Sequence, residues 1–138
     1  MAEAQSGGIE NRNLALPAAV AEHIKREGYW AALTWLKEER KNREADPVLR
    51  GYVEILRVSL VKDFLSLSNG MKSVPRLTSD FLNDFNKFDL TAQEGYLISQ
   101  IDGRTNLEKL LKLSPFDPFT TLFSFARMEH LRAIEVSE

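Results

Sequence analysis

The chain has no cysteine, which excludes a disulfide framework, thiolate zinc ligation, iron–sulfur clusters and a cysteine nucleophile. Long apolar runs are also missing: stretches such as Tyr29 to Leu33 fall far short of the roughly 18 to 20 residues that a membrane-spanning helix needs. Histidine is scarce. His23 and His130 are the only two and lie far apart in sequence, so spacing alone builds no metal site. No G-x-x-x-x-G-K-[ST], H-E-x-x-H or G-x-S-x-G string occurs, and no constellation supplies both a nucleophile and a base. Neither a cofactor nor enzymatic activity is expected. The opening MAEAQSGGIENRNLA has neither the basic start nor the apolar middle of a secretory signal. A cytoplasmic protein with a disordered tail over residues 1–15 is the expectation.

Basic excess is lacking too. Residues 1–72 hold eleven Lys and Arg against ten Asp and Glu, and residues 73–138 hold seven against ten. Phosphate-backbone binding needs clustered cations, because affinity there comes mainly from counterion release. The charge balance therefore argues against nucleic acid as the partner.

What the 138 residues do contain is 43% apolar side chains, enough for a core of ordinary domain size, in a pattern that reads as helices. Pro17 stands like a first helical residue, with Val20 and Ile24 following at a spacing of four. Gly28 interrupts that helix, and Tyr29, Leu33 and Leu36 then mark a face, so the two segments form separate helices or one helix bent at Gly28. The mixed-sign run from Lys37 to Glu44 reads as a solvated helix end. Asp46-Pro47 reads as N-cap and N1 of a helix carrying Leu49, Tyr52, Val53, Leu56, Leu60, Phe64 and Leu67. Ile55, Val58 and Val61 add a second apolar flank, which predicts cover on two sides. Ser68-Asn69-Gly70 ends it. The pair resembles a single tetratricopeptide-type hairpin, with no second copy at a 34-residue offset.

Met71 to Leu77 breaks the helical period, and Pro75 biases Val74 toward an extended backbone, giving a linker or short edge strand. Thr78 or Ser79 then caps a short helix with Phe81, Leu82, Phe85 and Phe88, a density that predicts core. Thr91 and Glu94 form a capping box before Tyr96, Leu97, Ile98 and Ile101. Thr105 and Glu108 have the spacing of a second box, before Leu107, Leu110, Leu111 and Leu113. Asp117-Pro118 caps a third helix with Phe119, Leu122, Phe123, Phe125, Ala126, Met128 and Leu131. Residues 133–136 alternate like a strand. The fold class is therefore all-α with at most one short strand or hairpin. Its expected organisation is a helical hairpin over 16–70, a linker over 71–78 and a tri-helical module over 79–138, the hairpin packed on the module.

The string from Phe88 to Ile134 resembles the winged-helix-like C-terminal module of bacterial, myxobacteria-like regulatory proteins, of the kind found after PATAN-type, receiver or tetratricopeptide segments. Leu90, Thr91, Glu94, Gly95, Tyr96, Leu97, Ile98, Ser99, Ile101, Asp102, Gly103, Thr105, Leu107 and Leu110 match its pattern. Asn106 and Lys109 depart from it. The resemblance covers about the last 65 residues and implies a noncatalytic adaptor or signalling role. PqqD-like peptide-binding modules share the D-G-x-x-T step but carry an N-terminal strand ladder, where this chain has helical residues 17–68.

A winged-helix DNA-binding regulator is the alternative expectation, since such a fold presents a recognition helix to the major groove. From Pro118 to Arg132, however, the cations are Arg127 and Arg132 against Glu129. Eight Phe, three Tyr and two Trp favour instead an interface with another protein, or with a second copy, anchored by aromatic groups. Tyr29, Trp30 and Trp35 in the hairpin and Phe116, Phe119 and Phe123 around the last turn are the expected partner-binding residues. Polarity, motility or signalling regulation is the setting that the resemblance implies.

Overall fold

One capping signal and one glycine shape the first half of the chain. The computed structural model describes residues 8–42, 46–66 and 69–137. Helix α1 runs Gly8–Asn42 and is bent at Gly28, where φ is 93° and ψ 174°; this is left-handed territory that only glycine enters at low cost. Helical backbone thus begins well before Pro17, and residues 8–15 of the expected tail are helical. Residues 1–7 lie outside the described residues, as do Arg43 and Glu44 of the charged run. Val20, Ala32, Leu33 and Leu36 are the buried row of α1.

Asp46 caps α2 (Pro47–Ser66) as its sequence predicts, its Oδ1 accepting from the Val48 N–H at 2.9 Å. Leu49, Val53, Leu56, Leu60 and Phe64, in steps of three and four, are buried on one face, each contributing about 1.5 to 3 kcal/mol when fully removed from water. Val61 joins them, but the rest of the second apolar flank is uncovered: Ile55 is 60% and Val58 47% exposed. Those two positions lie round the helix from the buried row, so their spacing reports an apolar stripe without reporting a neighbour. Leu67 and Ser68 lie outside the described residues.

The chain divides into two compact units, Met1–Ser59 and Leu60–Glu138, so the division falls inside α2 and not at residues 71–78. That expected linker is structured. A 3-10 turn at Gly70–Lys72 leads into β1 (Val74–Leu77), which pairs antiparallel with β2 (Ile134–Ser137) in the register Val74↔Ser137 to Leu77↔Ile134. Pro75 fits because both strands of a two-stranded sheet are edges, where a missing N–H breaks no ladder.

Between the strands lie α3 (Ser79–Asn83), a 3-10 turn at Phe85–Lys87, α4 (Ala92–Ile98), α5 (Leu107–Leu113) and α6 (Pro118–His130). The all-α reading with a minor antiparallel hairpin describes the fold. Helix α6 is the spine of the second unit, contacting α4, α5 and β2, and Phe125, Ala126 and Met128 are buried in that unit's core with Leu97, Leu107, Leu110 and Ile134. Thr91 closes the expected capping box, its Oγ1 accepting from Glu94 N–H at 3.1 Å while Glu94 accepts from Thr91 N–H at 3.0 Å. The second expected box does not form: the cap shifts by one residue, and Lys109 at its third helical position has no acceptor to reach back. Thr105 is held by Asp102 through both its N–H and its hydroxyl, at 2.8 and 3.0 Å, and Asn106 becomes the cap of α5, its Oδ1 accepting from Lys109 N–H at 2.9 Å.

Candidate interaction surfaces

The first expected aromatic cluster lies around the bend of α1. Tyr29 is 38% exposed, and Trp30 and Trp35 are half-buried. Trp35 stacks on the half-buried His23, with ring centroids 4.7 Å apart and planes 25° apart.

The second cluster is in the other unit. Phe116 meets the ring of Tyr96 edge-on at 5.8 Å, its backbone turned by an N–H bond to Ser114 Oγ at 3.1 Å. Phe119 is half-buried. Phe123 is in the core at 9% exposure, one helical turn beyond the half-buried Phe119 on the same face of the helix. Hydrogen bonds brace the loop leading in: Ser114 and Thr121 share a hydroxyl contact at 2.8 Å, and the Thr121 hydroxyl donates to Asp117 C=O at 2.9 Å.

Burial corrects the reading of Phe81, Leu82, Phe85 and Phe88. Leu82 is 65% and Phe85 60% exposed, and neither α3 nor the turn after it buries any residue. The rings form a surface cluster, Phe81 lying 6.4 Å from Phe85 and 5.4 Å from Phe88. High apolar density was the available signal, but density cannot distinguish a covered face from an open one.

One ion pair was invisible to sequence reasoning. The Arg127 guanidinium donates to the Glu94 carboxylate, which is only 4% exposed, and also to Asp89 C=O at 3.2 Å. The last helix is thereby tied to the capping box and to the Asp89 backbone just before it.

Beside the end of α6, Thr78, Asp80, Glu129, His130, Arg132, Ile134 and Glu135 line an open cleft of about 500 Å³. Burial raises the Glu129 carboxyl above its ordinary range, opposed by the Arg132 charge. Burial, then the nearby Arg127 charge, lower the His130 imidazole. Arg132 itself takes φ 67°, closing a helix end in which Arg132 N–H reaches Glu129 C=O at 3.0 Å and Ala133 N–H reaches Met128 C=O at 2.9 Å. A second cleft, of about 460 Å³, is lined by Arg104, Thr105, Asn106, Glu108, Lys109 and Lys112. Among the described residues, no group of three or more His, Asp or Glu is placed to hold a metal ion, and no helix is long and apolar enough to cross a membrane.

No family model matches the chain, and neither a curated protein nor a solved structure matches it.

Proposed function

We infer that the chain is a noncatalytic protein-interaction module, an adaptor of the kind used in bacterial signalling, polarity or motility control. The observation that carries this reading is the placement of large apolar groups in the open on ordered elements: Tyr29, Leu82, Phe85, Tyr96 and Leu113 range from 38% to 65% exposed. Neighbouring exposed apolar groups mark interfaces more often than they mark catalytic sites. Tyr29, Trp30 and Trp35 offer one anchor set and Phe116 with Phe119 another; a second copy of the chain is a close variant of the partner.

The alternative, a winged-helix DNA-binding regulator, draws support from the three cations Arg104, Lys109 and Lys112 lining one cleft. It is weakened by Arg127, whose charge is committed to Glu94, and by the −2 net charge of the chain.

Affinity capture from an extract of the source cells, comparing the chain with a Trp30→Ala, Phe119→Ala double variant shown by circular dichroism to remain folded, tests the reading. Loss of a captured protein in the variant is the expected result. Retention of every captured protein would remove these two aromatic sets, and salt-sensitive retention of duplex DNA with no captured protein would favour the alternative.

A further inference from the structure

The segment from Thr78 to Leu90 is where the sequence promised a core and the structure has a surface. It is not a loose loop. Its start is fixed by Thr78, whose hydroxyl donates to Arg132 C=O at 2.7 Å and whose oxygen accepts from Phe81 N–H at 3.1 Å. Its N–H reaches Ala133 C=O at 3.1 Å. The other end is fixed by the Asp89 carbonyl on Arg127, and between them Asp84, Lys87 and Phe88 N–H groups close successive turns onto Asp80, Asp84 and Phe85 carbonyls. An apolar face held in this way loses little conformational entropy when something covers it.

Charge says what would cover it. Asp80, Asp84 and Asp89 flank Leu82 and Phe85 in sequence on this strap, and among the described residues none of the three carboxylates has an ion-pair partner. The only cation of the strap, Lys87, sits over the Phe88 ring at 5.5 Å. The cleft beside Asp80 adds Glu129 and Glu135 against Arg132. An anionic membrane surface or a nucleic acid would meet uncompensated carboxylates here and be repelled, whereas a polypeptide with Lys or Arg beside large apolar groups satisfies both features at once.

We propose that residues 79–89 are a docking surface for a cationic amphipathic segment of another protein, with apolar side chains covering Leu82 and Phe85 and cations facing Asp80, Asp84 and Asp89. The proposal rests on the protein-interaction reading and commits it to one surface and one partner chemistry. It uses neither the Trp30 nor the Phe119 set, so the two can fail separately.

The test uses the full chain, isotopically labelled, and two synthetic 18-residue amphipathic peptides of one pattern, one of Leu and Lys and one of Leu and Glu. The Leu/Lys peptide is expected to shift the amide resonances of residues 79–90. Its affinity is expected to fall about tenfold in the Asp80→Asn, Asp84→Asn, Asp89→Asn variant, as three exposed charge pairs warrant, and by at least as much in Leu82→Ser, Phe85→Ser. The triple variant alters only exposed carboxylates, so it remains informative if the apolar variant misfolds. Shifts centred elsewhere, equal binding of the Leu/Glu peptide, an affinity unchanged in the triple variant, or no binding at all would overturn this surface and leave the interaction reading standing. Concentration-dependent shifts of residues 79–90 without peptide would place a second copy there and overturn the partner assigned. A 20-base-pair duplex that binds where both peptides fail would overturn the surface and the interaction reading together.

Discussion

Arg127 reaches across 33 residues to ion-pair with Glu94, and the Glu94 oxygen that receives it also accepts from Thr91 N–H. One carboxylate thereby starts helix α4 and ties it to helix α6. Removing the cation strands a nearly buried charge, whereas Gln at position 94 keeps the capping acceptor. Arg127→Met is therefore expected to cost about 2 to 3 kcal/mol, below the full value for a buried pair because Arg127 is itself part-exposed. Glu94→Gln should cost about 1 to 2 kcal/mol. Urea denaturation of both single variants and of the double variant checks this. The double variant is expected to lose at least about 1 kcal/mol less than the sum, and simple additivity would refute the coupling.

Gly28 and Gly51 should respond to alanine in opposite directions. An added Cβ meets nothing within 4 Å at either position, but Gly28 has φ +93° and Gly51 has ordinary helical backbone. Gly28→Ala is expected to lose about 1 to 3 kcal/mol through backbone strain alone. Gly51→Ala is expected to gain about 0.5 to 1 kcal/mol through helix propensity. Thermal unfolding followed by circular dichroism separates the two.

Arg132 occupies the left-handed position that usually belongs to glycine at a helix end. Arg132→Gly is expected to raise stability by about 0.5 to 1 kcal/mol, since relief of the left-handed backbone of an L-residue exceeds the added unfolded-state entropy. A lower melting temperature in calorimetry would mean that the arginine side chain contributes more than its backbone costs.

The acid side of the stability profile should carry the signatures of His130 and Asp102. Burial and the Arg127 charge depress His130 in the folded state, so its contribution is complete above the ordinary imidazole value of about 6.5 and is lost as pH falls through the lower folded value. Asp102 is depressed by the Arg104 and Thr105 N–H groups and the Thr105 hydroxyl, so its contribution disappears further down, below about 3.9. Glu129 is raised and works the other way: its contribution is present below about 4.3 and lost as pH rises through its folded value. Melting temperature should fall between pH 7.5 and 5.5, less steeply in His130→Gln, while Glu129→Gln should melt higher than the parent at pH 7.5. Parallel slopes for the parent and His130→Gln would contradict the assignment.

The parts of this architecture legible in the sequence are those decided within four residues. Asp46-Pro47, Thr91 with Glu94, and Asp117-Pro118 cap the helices they were expected to cap, because a side chain reaching a nearby N–H needs no tertiary partner. Local competition moved one cap, where Asp102 takes Thr105 and leaves the task to Asn106. Whatever depends on a distant neighbour was not legible. The spacing of Ile55 and Val58 and the density at Phe81 to Phe88 are the same whether or not another element covers them. For the expected aromatic anchors, sequence identified the residue types, while position along one face of α6 left Phe119, in the first turn, at the margin and Phe123, one turn on, in the core.

Placing the photo-reactive analogue p-benzoylphenylalanine at position 85 of the full chain, in the cells that make it, tests the account most directly. Irradiation is predicted to yield a covalent adduct with another polypeptide, the cross-linked stretch carrying Lys or Arg beside large apolar residues. An adduct to nucleic acid, obtained from the same label at position 109 and absent at position 85, would contradict it.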